Sequence, residues 1–195
     1  MTAVRKASRT RKTGETDVAC TLVLDGAGRA EVATGVPFFD HLLTALARHG
    51  GLDLTVRCRG DLEVDDHHSV EDVMLALGAC LDDALGDRGG IARFGHAYAP
   101  LDEALVRAVV DLSGRPFAVV DLPWRRPAIG GLSLENVPHA LATLATAGRL
   151  CLHVDCLRGD NDHHRAEAAF KAVALALRQA VSRRGDGVPS TKGVL

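Results

Sequence analysis

The stretch Gly60-Asp61-Leu62-Glu63-Val64-Asp65-Asp66-His67-His68-Ser69-Val70-Glu71-Asp72 decides how this chain is read, because it has an echo. His163 follows His67 by 96 positions, inside Gly159-Asp160-Asn161-Asp162-His163-His164-Arg165-Ala166-Glu167-Ala168. Both copies hold His-His-x-x-Glu, and both open a long apolar run of helical period. On a helix His67 and Glu71 are four positions apart and share a face. His68 is turned by about 100° from His67, which makes it hard for both to reach one ion. One copy therefore offers an imidazole and a carboxylate to one ion, and a second imidazole to another. Two copies facing each other would complete two equivalent metal sites. A single His-His pair at a helix start is ordinarily a polar cap, and a first-turn Glu suits the helix macrodipole. Recurrence of the whole pattern shifts the weight from capping to metal binding.

Working outward, the repeat is a larger unit. Upstream of the first copy, Pro37 and Gly50 bracket a helix carrying His41, and a strand follows near 53–59. Upstream of the second copy, a helix near 134–147 carries His139, and a strand near 149–157 follows. His41 precedes His67 by 26 positions and His139 precedes His163 by 24, so a unit of helix, strand, motif and helix has been duplicated. The motif helices are expected near 69–85 and out to about residue 183. Strands are expected near 17–24 and 29–34, joined as a hairpin by Asp25-Gly26-Ala27-Gly28. Further strands are expected near 92–98, 104–112 and 116–122, with a loop over 123–131. The expected architecture is α+β: duplicated half-domains, each a small, mostly antiparallel sheet with helices on one face. Residues 1–12 read as a flexible basic arm, 13–90 and 91–184 as the two halves, and 185–195 as a tail.

Eight ligand candidates result: His41, His67, His68, Glu71, His139, His163, His164 and Glu167. They divide into two sites of three nitrogens and one oxygen, a set suited to manganese, iron or zinc rather than to calcium or magnesium. An octahedral ion with four such ligands keeps two positions for water or substrate.

The totals exclude several classes. With 195 residues, 47% hydrophobic and 25% charged, at net charge −2, the chain is an ordinary globular sequence without a general drive toward nucleic acid or anionic lipid. Aromatic content is 4%, so no stacking platform for single strands is expected. No apolar run reaches the ~18 residues that suggest a membrane span. The basic start lacks the apolar segment of a secretory signal. Five cysteines, with no C-x-x-C among them, fit a reducing compartment, and the cytoplasm is expected.

Asp40-His41, Gly60-Asp61, Asp65-Asp66-His67-His68-x-x-Glu71-Asp72, Leu77-Gly78 and Gly86-Asp87 resemble imidazoleglycerol-phosphate dehydratases. So do Arg93-Phe94-Gly95, Asp111-Leu112-Ser113-Gly114-Arg115-Pro116, Asn161-Asp162-His163-His164-x-x-Glu167 with Phe170-Lys171, and Pro189-Ser190-Thr191-Lys192-Gly193. The resemblance runs from about Arg9 to the end. It implies a fold of the ribosomal protein S5 domain 2-like type. It also implies dehydration of imidazole glycerol phosphate to imidazole acetol phosphate in histidine biosynthesis, with two Mn2+ per active site. Sites completed between subunits of a 24-subunit homo-oligomeric shell belong to the same implication.

By the same resemblance, Glu15 is the acid/base candidate, with Glu71, Glu167 and Asp102 beside it. Arg93, Arg115, Lys171, Ser190 and Lys192 would bind the phosphate, for which guanidinium groups are well shaped. The hydrogen to be removed is not next to a carbonyl, so metal-assisted formation of an imidazolate is implied, followed by proton transfer to a carboxylate. The chain departs from the family pattern at Ala45, where Gln is frequent, and at Ala140-Leu141, where Phe-Phe is frequent. Both bear on substrate affinity and packing rather than on the ligand set. Two other readings use the same residues: a dinuclear hydrolase releasing phosphate, and a metal-binding shell without catalysis.

Overall fold

In the computed structural model, residues 4–185 and 187–193 are described. The first half runs β1 (Lys6–Lys12), β2 (Thr16–Val23), β3 (Ala30–Ala33), α1 (Pro37–Gly50), β4 (Asp53–Gly60) and α2 (His67–Leu85). The second runs β5 (Phe94–Leu101), β6 (Ala104–Asp111), β7 (Phe117–Asp121), a minor hairpin of β8 (Ala128–Ile129) and β9 (Leu132–Ser133), α3 (Asn136–Ala147), β10 (Cys151–Arg158) and α4 (Asp162–Ala180). Each half builds one four-stranded sheet, in the order β1-β2-β4-β3 and β5-β6-β10-β7. In each sheet two pairings are antiparallel, and the last, β3 with β4 or β7 with β10, is parallel. The architecture is the expected α+β one.

Three expectations are corrected. The basic arm placed at 1–12 is a strand from Lys6 to Lys12, in continuous antiparallel register with β2 from Lys6↔Val23 to Lys12↔Asp17. Its alternate arginines reach inward to α2, Arg9 to Asp83 at 2.6 Å and Arg11 to Asp72 at 2.6 Å. Met1 to Ala3 lie outside the described residues. Secondly, β2 and β3 form no hairpin; α1 crosses over and β3 pairs with β4. A parallel neighbour needs such a helical connection. Thirdly, the loop expected over 123–131 contains β8 and leads directly into β9.

The four helices form the middle layer between the two sheets. α2 covers β1 and β2, and α4 covers β5 and β6. Across the middle the halves exchange partners, α1 packing on α4 and α2 on α3. One continuous core results, with Phe39, Leu42, Leu43, Met74, Leu141, Leu144 and Phe170 fully buried. Contacts are closest at glycines. A Cβ on Gly78 of α2 would stand 2.6 Å from the Ala147 Cβ of α3, and one on Gly95 of β5 would collide with the Ala176 carbonyl oxygen of α4. Among the described residues no helix is long and apolar enough to cross a membrane.

Candidate metal centres and active site

Both motif helices start in the same way. The Asp65 carboxylate accepts the His67 N–H at 2.8 Å, and the Asn161 side chain accepts the His163 N–H at 2.9 Å. These caps satisfy donors the helix itself leaves open. The next residue anchors a loop of the second half. Asp66 accepts the Ser133 N–H and Oγ–H at 2.8 and 2.7 Å, and Asp162 accepts the Arg125 and Arg126 N–H groups at 3.0 and 2.8 Å. The His-His pairs are thereby fixed at the two helix mouths.

Because the helices exchange partners, each mouth meets a histidine from the opposite half. His41 of α1 joins His163 and Glu167 of α4, and His139 of α3 joins His67 and Glu71 of α2. In each trio the available ligand atoms lie within 4.8 Å of one another. His41 Nε2 and His163 Nε2 stand 2.9 and 3.2 Å from the Glu167 Oε2, and His139 Nε2 stands 3.2 Å from the Glu71 Oε1. Two imidazoles and one carboxylate converging in this way form a donor set that fits a borderline or hard divalent ion. Burial works against ionisation of Glu167, but hydrogen bonds from His41 and Lys171 outweigh it and hold its pKa at about 2.

The expected sets of three nitrogens and one oxygen are not assembled within one chain. His68 and His164 point elsewhere, their rings 6.0 and 6.2 Å from those of His67 and His163 and nearly perpendicular to them. The 100° turn between neighbouring helix positions is the reason. Each is oriented by carboxylates that the motif spacing does not assign as partners. His68 Nδ1 sits 3.1 Å from the Asp61 Oδ2 and its Nε2 lies 3.6 Å from the Glu15 Oε1. His164 Nδ1 sits 2.7 Å from the Glu103 Oε2 and its Nε2 lies 3.8 Å from the Asp102 Oδ2. The Asp61 hydrogen bond raises the His68 pKa despite some desolvation, with Glu15 adding to the effect. Glu15 and Asp102 occupy matching places, the β1–β2 and β5–β6 turns, and both are exposed.

The basic residues divide. Lys171 lies one helical turn beyond Glu167, with its Nζ 2.6 Å from the Glu167 Oε1. Arg93 and Arg115 do not reach either trio. Arg93, at the start of β5, pairs with Asp111 at 2.7 Å and donates to the Pro189 carbonyl at 2.8 Å, which holds the tail against that end of the sheet. Arg115 is exposed, and its N–H donates to Ser113 Oγ at 3.3 Å. Within the tail the Lys192 N–H donates to Ser190 Oγ at 3.2 Å; Asp186, Val194 and Leu195 lie outside the described residues. Gly159, just before α4, lies against Ala104, whereas Gly95 lies against Ala176 near the other end of α4. The Arg93 N–H donates to the Ala180 carbonyl at the far end of α4, about 20 Å along the helix from Glu167 of the α1–α4 trio.

A family model described as imidazoleglycerol-phosphate dehydratase matches residues 34–177. The chain belongs to the imidazoleglycerol-phosphate dehydratase family. As a member of it, the protein is a hydro-lyase, a carbon–oxygen lyase. It is 58% identical to the imidazoleglycerol-phosphate dehydratase of Salinibacter ruber over 193 residues, covering 98% of this chain and 96% of the relative. With that of Candida glabrata it shares 62% identity over 165 residues, covering 84% and 79%. Crystal structures of imidazoleglycerol-phosphate dehydratases from Staphylococcus aureus and Pyrococcus furiosus superpose with TM-scores of 0.83 and 0.83, at 32% and 37% identity. They cover 91% and 96% of this chain, and 99% and 100% of their own. The trios therefore sit in a dehydratase scaffold.

Proposed function

We propose that this protein removes water from imidazole glycerol phosphate to give imidazole acetol phosphate, in histidine biosynthesis, with Mn2+ held by the two trios. The observation that carries the reading is the matched pair of clusters, each of two imidazoles and one carboxylate and each drawn from both halves. Nitrogen and carboxylate donors without a thiolate suit manganese. His41, His163 and Glu167 would hold one ion; His67, Glu71 and His139 would hold the other. Ions bound there would supply Lewis acids able to stabilise negative charge on the substrate's imidazole.

The chain's own groups account for the proton traffic. Dehydration takes one proton from carbon and returns one with the departing hydroxyl, so a positioned carboxylate suits it. Glu15 is such a group, exposed where a substrate can approach it and 3.6 Å from His68. Asp102 beside His164 is its counterpart in the second half. Lys171, Arg93, Arg115, Ser190 and Lys192 would bind the phosphate.

Arg93 lies too far along α4 from the α1–α4 trio of its own chain to act with it, which supports sites shared between subunits of a homo-oligomer. His68 and His164, turned away from their own trios, would complete a neighbour's ligand set. The outer face of the second sheet supports the same reading. Phe94, Tyr98, Val109, Phe117 and Val119 are exposed there, and a patch of this kind is characteristic of an interface. The five free thiols fit a cytoplasmic setting.

Purified, manganese-loaded protein mixed with imidazole glycerol phosphate should yield the ketone without free phosphate. Release of inorganic phosphate instead would favour a dinuclear hydrolase, and neither product with metal bound would sink both readings.

A further inference from the structure

The two trios occupy equivalent places, yet their surroundings differ at one position. Three residues before His41 stands Phe38, and three residues before His139 stands Asn136. Phe38 packs its ring on His163, with centroids 4.9 Å apart. Asn136 instead places its Oδ1 3.2 Å from the His67 Nδ1. Its amide has a defined orientation, because Nδ2 donates to the buried Asp66 Oδ2 at 3.0 Å. Asp66 is held in turn by two hydrogen bonds from Ser133. With the NH2 group committed to a carboxylate, only the oxygen faces His67, so the ring must carry its proton on Nδ1. The lone pair is then on Nε2, as a metal ligand requires. Among the described residues no hydrogen bond engages the Nδ1 of His163. A second difference acts in the same direction. Lys171 places its ammonium 2.6 Å from the Glu167 Oε1, whereas the equivalent place one turn after Glu71 is Leu75. A fixed cation on the ligand carboxylate opposes a second cation there.

We infer that Asn136 is a positioning residue and that the two metal sites have unequal affinities, the α2–α3 site being the tighter. This rests on the reading of the trios as metal sites. A neighbour that orients a ligand histidine is typically worth about 10–100-fold in metal affinity. Titrating the metal-free full-length protein with Mn2+, with free ion followed by electron paramagnetic resonance, should show two classes of equal stoichiometry. Asn136→Ala should weaken the tight class by about 10–100-fold and leave the weak class where it was. Asp66→Asn, close to the wild-type shape, frees the amide to rotate and should weaken the same class, with circular dichroism confirming the fold. Lys171→Met should tighten the weak class. A single class in the wild type that Asn136→Ala does not move would overturn the inference while leaving the metal reading intact. Loss of the weak class in Asn136→Ala would also overturn it. If the wild type takes up no Mn2+ at all, the reading beneath it fails as well.

Discussion

At the scale of single residues, Glu15 is the most exposed test of the proposed chemistry. It sits in the β1–β2 turn, 3.6 Å from His68 and outside both trios. Glu15→Gln should cut kcat by about 10²–10⁴-fold, the usual worth of a positioned acid or base, while Mn2+ uptake stays unchanged. Equal loss of metal and activity would make Glu15 a ligand instead. Six of the eight ligand candidates are singled out because two adjacent histidines and a spaced glutamate recur, and His41 and His139 because their helices recur at similar spacing. Their division is not legible, since a spacing of one residue says that two rings diverge but not what each ring meets. Asp61 stands inside the quoted motif and Glu103 just after Asp102, but a lone carboxylate in a turn is ordinarily solvated. Only the folded chain puts them on His68 and His164.

At the scale of elements, α4 carries a pH dependence of its own. Glu103 accepts the Asp160 and Asn161 N–H groups at 2.9 and 2.7 Å and contacts His164, tying the β5–β6 turn to the start of that helix. The Asn161 backbone bond first, then His164 and the Asp160 backbone, hold its pKa at about 2. A carboxylate depressed in the folded state contributes stability above its ordinary value near 4.5, and loses it as pH falls toward 2. Thermal melts of the metal-free protein should therefore drop between those limits, and Glu103→Gln should flatten that drop. An unchanged slope would argue against the tie. Gly95→Ala should be severely destabilising, by roughly 3 kcal/mol or more, because the new Cβ would collide with backbone of α4; a melting temperature within a degree of wild type would contradict the close contact.

Alternation in the sequence identified most strands, including the one that pairs differently from expectation. A pattern of twos says that 30–33 is extended, but the partner is chosen by the crossover through α1, which local residues do not report. The same limit applied to the first twelve residues. Their charges read as solvated, yet Arg9 and Arg11 are ion-paired to α2.

At the scale of the whole molecule, the two sheets make an internal comparison. The outer face of the first presents mostly polar groups such as Ser8, Thr10, Asp17, Thr21, Thr55 and Arg57, whereas that of the second sets the exposed Phe94, Tyr98, Val109, Phe117 and Val119 among polar groups such as Arg107 and Asp155. Replacing Phe117 and Val119 with Glu should lower the assembled mass seen by sedimentation, and the same change at Thr21 and Thr55 should not. An unaltered mass in both would place the interface elsewhere. The duplication was plain in the spacings, but the exchange of helices was not, because packing partners across a core leave no periodic trace. That exchange has a consequence for descent. The first half alone carries one ligand of one trio and two of the other, so neither trio is complete within it. Two identical copies related by a two-fold axis would have completed both at once. A single ancestral half could have held metal only as a homodimer, and gene fusion would then have freed positions 38 and 136 to diverge.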